Sequence, residues 1–269
     1  QITMNGEGPE FRFVQMLIEM ALFPADTFDE LFDTLQQHRP LSDLVIRTPV
    51  RFAVPIARPQ KIVCVGRNYR EHAAELKNPV PEEPIFFGKS PSSMIASGAM
   101  IRIPKNIGSV HHEGELAVVI GKTGANIPAD QAFEHIAGYT LLNDVTARDL
   151  QQQDKQKGLP WFRAKSIDSF CPIGPYVVPA NAIKDPQNLH IRVTVNGETR
   201  QQGNTAEMVT PIAELLAYIS RYMTLTEGDL IATGTPAGAS ALKNGDRVCV
   251  EIDAIGRLEN GVVHGPAIR

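Results

Sequence analysis

The feature that most constrains this chain's fold is a series of short apolar runs, rich in β-branched residues and punctuated by Asn-Gly. Lys61-Ile-Val-Cys-Val-Gly66 is the first, and similar runs cover residues 115–120, 138–142, 189–195, 229–233 and 247–252. Runs of this length are too short for helices and read as buried strands. Asn196-Gly197, Asn244-Gly245 and Asn260-Gly261 each predict a tight hairpin, because both residues tolerate the positive φ of a two-residue turn. Helical patterns are fewer: 68–77, 146–157 and 210–222, the last opened by Pro211. Strands and helices do not alternate as a TIM barrel or a doubly wound sheet requires. The pattern predicts an α+β, β-rich fold, a mixed roll or sandwich.

Residues 1–60 differ in texture. Phe28, Leu31, Phe32 and Leu35 recur at helical spacing behind Asp26, which reads as the N-cap, and Pro40, Pro49, Pro55 and Pro59 then break the segment. We expect a small N-terminal segment and linker over 1–60, then one catalytic domain over 61–269. A chain of 269 residues needs no disulfide to build its core. Its three cysteines, Cys64, Cys171 and Cys249, stand apart without CxxC spacing, which predicts reduced thiols in a reducing, cytoplasmic setting. Net charge is −4, and no cluster of five basic residues occurs, so a nucleic-acid face is not expected. No apolar run is long enough to cross a membrane. The stretch 11–23 carries Arg12 and Glu19 and does not read as a signal peptide.

Four segments carry candidate chemistry. Glu113-Gly114-Glu115 opens an apolar strand, and alternate strand residues share a face. Two carboxylates there repel unless a cation or protons neutralise them. Asp144 ends another apolar run. The glutamates read either as a solvated strand end or as ligands, and Asp144 either as a helix cap or as a third ligand. Should the three converge, an oxygen-only set suits Mg²⁺, Mn²⁺ or Ca²⁺ rather than zinc. His112 would face away from Glu113.

His72 and Glu75 lie three apart on a predicted helix, which makes either an exposed ion pair or an oriented general base. Arg148 and Gln151 fit one helical face, and Lys165 follows the only tryptophan, Trp161, in an unusually apolar loop. A lysine there either snorkels or stabilises an oxyanion. Thr233-Gly-Thr-Pro-Ala-Gly238 is a loop whose N–H groups could hold an anion, but it lacks the lysine of a phosphate-binding loop.

Taken together these segments resemble the fumarylacetoacetate hydrolase family. The resemblance spans about residues 61–263 and rests on Val65-Gly-Arg-Asn-Tyr69, His112-Glu-Gly-Glu-Leu-Ala-Val-Val-Ile-Gly121, Asn143-Asp-Val-Thr-Ala-Arg-Asp149, Gly158-Leu-Pro-Trp161 with Ala164-Lys-Ser166, and Thr233-Gly-Thr-Pro236. Within the family the chain is most similar to the acylpyruvate hydrolase and oxaloacetate decarboxylase branch. The resemblance implies a mixed β-roll, a homodimer, and Mg²⁺ or Mn²⁺ held by Glu113, Glu115 and Asp144. It further implies His72–Glu75 as general base, Lys165 as charge stabiliser, and Arg67, Arg148, Gln151 and Thr235 toward the substrate.

The implied activity is cleavage of a C–C bond in a 2,4-diketo acid through a pyruvate enolate held at the metal. Oxaloacetate decarboxylation, or isomerisation of a 2-hydroxyhepta-2,4-diene-1,7-dioate, is the alternative chemistry of the same site. A metal-stabilised binding protein with this fold is the non-enzymatic rival, although a scaffold has no need of His72 or Lys165.

Overall fold

The structure, a computed structural model, describes residues 13–38, 40, 51–75 and 79–268. The first elements are α1 (Phe13–Glu19), α2 (Ala25–His38), β1 (Ile62–Gly66), α3 (Arg70–Glu75), β2 (Ile85–Lys89), β3 (Met94–Ile95), β4 (Met100–Pro104) and β5 (Val110–His111). There follow β6 (Gly114–Ile120), β7 (Ile136–Asn143), β8 (Thr146–Ala147), α4 (Arg148–Gln156), α5 (Phe162–Lys165), β9 (Cys171–Pro179) and β10 (His190–Val195). The last are β11 (Glu198–Asn204), α6 (Ile212–Ser220), β12 (Leu230–Ala232), β13 (Arg247–Ile252) and β14 (Gly256–Gly265).

Two sheets carry the fold. A seven-stranded sheet runs β2-β1-β12-β6-β7-β9-β3, and a five-stranded sheet runs β11-β10-β13-β14-β4. Most neighbours are antiparallel, with β1/β12, β3/β9 and β14/β4 parallel. The α+β, β-rich expectation is met.

Strand β6 explains why its apolar run shows no polar alternation. Leu116, Val118 and Ile120 enter the core shared with Val193, Val250 and Leu258 of the five-stranded sheet. Ala117 and Val119 enter a second core on the opposite face, with Ile62, Cys64, Ile56 and, from the N-terminal segment, Ile18 and Phe23. A strand buried on both faces must be apolar at every position. Each such large side chain stabilises the fold by roughly 1.5–3 kcal/mol.

Several local expectations need correction. Asn196-Gly197 forms its hairpin, with φ of 55° and 84°. Asn244-Gly245 is a turn, but it joins no strand pair, because the preceding segment offers only a single bridge, Ala241 to His111. Asn260-Gly261 is not a turn at all. Both residues lie inside β14, where the buried Asn260 amide donates to the carbonyls of Ala96 and Ala99 at 2.9 Å each. The β13–β14 connection instead uses Ala254, at φ 60°.

The helix expected over 146–157 begins at Arg148, since Thr146 and Ala147 pair with β5. Asp26 sits within the first turn of α2 rather than capping it. The expected linker falls partly on residues 41–50, and the end of the 68–77 helix on 76–77, outside the described residues.

Candidate active site and metal centre

The site forms where the two sheets pack against each other at Gly114. A Cβ on Gly114 would collide with Val193 and Val250 of the five-stranded sheet, so only glycine permits the approach. Glu113 and Glu115 flank this contact and turn their carboxylates into one cavity. Asp144 is brought alongside because Glu113 N–H donates to Asn143 Oδ1 at 2.9 Å and Asp144 N–H to Glu113 O at 2.8 Å. One oxygen from each of Glu113, Glu115 and Asp144 lies within 4.8 Å of the others, and all three residues are buried. Neither a solvated strand end nor a helix cap describes them.

Three cations enter the cluster. Lys165 Nζ donates to Glu113 Oε2 at 2.7 Å and to Asp144 Oδ2 at 2.5 Å. Lys89 Nζ donates to Asp144 Oδ1 at 2.7 Å, and Arg148 pairs with Glu113 Oε1. Burial opposes ionisation of Glu113, but Lys165 and Arg148 outweigh it and hold its carboxyl well below the usual range. Burial opposes the charge on Lys165 as well, and Asp144 and Glu113 overcome it, so its pKa is raised and the ammonium stays protonated.

Glu115 stands apart. It accepts the Gly234 N–H at 2.8 Å, and no salt bridge reaches it among the described residues. Burial, then Asp144 and Glu113, push its carboxyl well above the usual range. Buried carboxylates that lack positive charge at one corner, with oxygen as the sole donor type, fit a divalent cation.

The cavity holds about 380 Å³, and its lining includes Arg67, His72, Arg148, Gln151, Lys165 and Thr235 with the three acids. Arg67, at φ 59°, places its guanidinium 6.0 Å from the Trp161 ring. Arg148 Nη1 donates to Gln151 Oε1 at 2.7 Å, as one helical face allows. Thr235 follows the turn at Gly234, where φ is 98°. Asn68 fastens that turn, its amide donating to the Thr233 and Thr210 carbonyls at 2.8 and 3.1 Å.

His72 lies on α3, and its Nδ1 is 3.4 Å from Glu75 Oε2. Glu75 does not line the cavity; it stands behind the imidazole and accepts the Gly238 N–H at 3.1 Å. Burial lowers the His72 pKa, partly countered by Glu113. The ring is therefore neutral near pH 7.

His112 faces away from the cavity, as expected. Its Nδ1 meets Gln201 Oε1 and its Nε2 meets Ser240 Oγ, both at 3.0 Å, and burial pushes its pKa down to about 4.

Two residues escaped the sequence reading. Lys89 closes the apolar run Ile85–Lys89, and a lysine ending such a strand was a usable signal. Gln201 sits in a polar stretch and gave none.

Comparison with known proteins now bears on this geometry. The model of the fumarylacetoacetate (FAA) hydrolase C-terminal family matches residues 61–263, and the chain belongs to this family. Oxaloacetate tautomerase YisK of Bacillus subtilis is 42% identical over 273 residues, covering 97% of this chain and 85% of YisK. The human mitochondrial oxaloacetate tautomerase FAHD2A is 44% identical, covering 81% of this chain and 71% of that protein. Among solved structures, 2-hydroxyhepta-2,4-diene-1,7-dioate isomerase from Mycobacterium marinum matches with a TM-score of 0.71 at 42% identity, over 84% of this chain and 80% of that one. Relatives of this kind are enzymes acting on small molecules, and this chain is one of the same family.

Proposed function

We propose that this chain is a Mg²⁺- or Mn²⁺-dependent enzyme for small dianionic 2-oxo acids, and that it interconverts the keto and enol forms of oxaloacetate. The observation that carries the reading is the charge balance of the cavity. Three carboxylates meet three cations, Lys89, Arg148 and Lys165, so a divalent ion at Glu113, Glu115 and Asp144 leaves this cluster with a net charge of about +2, and Arg67 on the cavity wall adds further positive charge for a dianion. Two relatives named for this reaction support it.

When bound, the ion supplies Lewis-acid polarisation of the 2-oxo group. His72, neutral and oriented by Glu75, takes a proton from C3 of the keto form. The electron pair of that C–H bond becomes the C2=C3 bond, and negative charge moves to the 2-oxygen. Lys165 adds positive charge to that end of the cavity, while Arg148, Gln151, Arg67 and Thr235 orient the substrate. Return of the proton at oxygen rather than carbon completes the exchange.

A second reading, acylpyruvate hydrolysis, is favoured by the His72–Glu75 pair, which is also what activation of an attacking water requires. Residues 61–269 are the catalytic unit in either reading, with 1–60 a small N-terminal segment and linker, and the assembly is a homodimer, checked by sedimentation. The three free, buried cysteines suit a reducing compartment such as the cytoplasm.

The test follows enol absorbance of oxaloacetate, with pyruvate release from oxaloacetate and acetylpyruvate measured in parallel, in Mg²⁺ and Mn²⁺. Faster enol decay without pyruvate supports tautomerisation, and pyruvate from acetylpyruvate supports hydrolysis. No effect on any 2-oxo acid rejects both.

A further inference from the structure

Gln201 reaches the site from the five-stranded sheet, and all four hydrogen-bonding positions of its amide are filled. Oε1 accepts from Gly114 N–H at 3.1 Å and meets His112 Nδ1 at 3.0 Å. Nε2 donates to the Pro236 carbonyl and to Thr235 Oγ1, each at 2.7 Å. A backbone N–H can only donate and a carbonyl can only accept, so Gly114 and Pro236 dictate which end of the amide is oxygen. It follows that His112 carries its proton on Nδ1.

The same logic passes to Thr235. Its hydroxyl donates its single hydrogen to the Gly114 carbonyl at 2.8 Å and accepts from Gln201. One lone pair is left, on a side chain that lines the cavity. The Thr235 hydroxyl is therefore an acceptor toward any ligand, although a free threonine hydroxyl could serve either way. A hydroxyl held as an acceptor is a poor neighbour for a keto or carboxylate oxygen and a good one for O–H.

We infer that Gln201 is a positioning residue that locks Thr235 as a hydrogen-bond acceptor, and that this acceptor selects the hydroxyl-bearing form of the ligand over its keto counterpart. The inference rests on the 2-oxo acid reading above and deepens it. In a site that interconverts C=O and C–OH, one wall is then matched to the enol.

Lactate and pyruvate form a hydroxyl-for-keto pair on one carbon skeleton and serve as probes, titrated calorimetrically into the full-length Mg²⁺-loaded protein. Thr235→Val should lower the lactate-to-pyruvate affinity ratio roughly two- to tenfold, the size of one neutral hydrogen bond. Thr235→Ser, which keeps the hydroxyl, should retain the wild-type ratio. Gln201→Glu cannot donate to Thr235 and should shift the ratio as Thr235→Val does, with melting curves confirming that each variant is folded. An unchanged ratio in folded Thr235→Val, or equal losses for both probes, overturns the acceptor assignment and leaves the 2-oxo acid reading standing. Failure of both probes to bind the wild-type protein overturns that reading and this inference with it.

Discussion

Lys89 and Asp144 form an ion pair, Nζ to Oδ1 at 2.7 Å, with both side chains out of water. The lysine also donates to the backbone carbonyls of Val145 and Lys165, so one ammonium ties β2, the end of β7 and α5 together. Asp144 keeps its contact with Lys165 when Lys89 is removed, so the cost is that of stranded buried hydrogen-bond acceptors, about 1–3 kcal/mol, rather than that of an unpaired charge. Lys89→Met should therefore lower the stability of the metal-free protein by about that much, and Mg²⁺ should recover part of the loss by restoring positive charge. Urea unfolding with and without Mg²⁺ measures both. Equal stability of variant and wild type would show that Lys89 does not hold Asp144.

Glu115 tests the metal. Glu115→Gln keeps the shape and an acceptor for Gly234 N–H, but it removes the one carboxylate without a cation partner. Mn²⁺ affinity, read by paramagnetic resonance, should collapse in this variant. Wild-type activity should vanish with EDTA and return with Mg²⁺ or Mn²⁺. Full activity in exhaustively chelated protein, or wild-type Mn²⁺ affinity in Glu115→Gln, would remove the ion from Glu115.

As the proposed base, His72 should set the acid limb of the rate profile. Burial depresses its pKa, so the basic form persists below the ordinary histidine range and is lost only at lower pH. kcat/KM should stay level through pH 7 and fall on the acid side of the usual histidine value. His72→Ala should lower the rate on the order of 10²–10⁴-fold and abolish that limb. An acid limb that survives in His72→Ala would assign it to another group.

His112 predicts a stability change instead. It titrates near 4 in the folded chain against an ordinary value of 6.5. Between these values the unfolded chain binds a proton that the native state refuses, so stability present above pH 6.5 is lost as pH falls toward 4. The loss from this residue is about 3 kcal/mol at the acid end. His112→Gln does not titrate, so its stability deficit relative to wild type should narrow between pH 7 and 4.5. A deficit constant with pH would exclude His112 as the source.

What the sequence by itself determined was composition by strand and chemistry by motif. The β-branched runs were legible because a strand buried on both faces must be apolar throughout, and β6 is such a strand. Glu113, Glu115 and Asp144 were legible as acids at the ends of apolar runs, where an uncompensated charge is costly. Asn260-Gly261 misled because a dipeptide records what a turn permits, whereas the carbonyls of Ala96 and Ala99, distant in sequence, decide that Asn260 is extended. The partners of Lys89 and Gln201 were decided by tertiary structure alone. Lys89 meets Asp144 across 55 residues, and Gln201 meets His112, Gly114 and Thr235 across 89, 87 and 34. Local periodicity carries no trace of such partners, because hydrogen-bond saturation and charge balance belong to the packed sheets and come into being only when they meet.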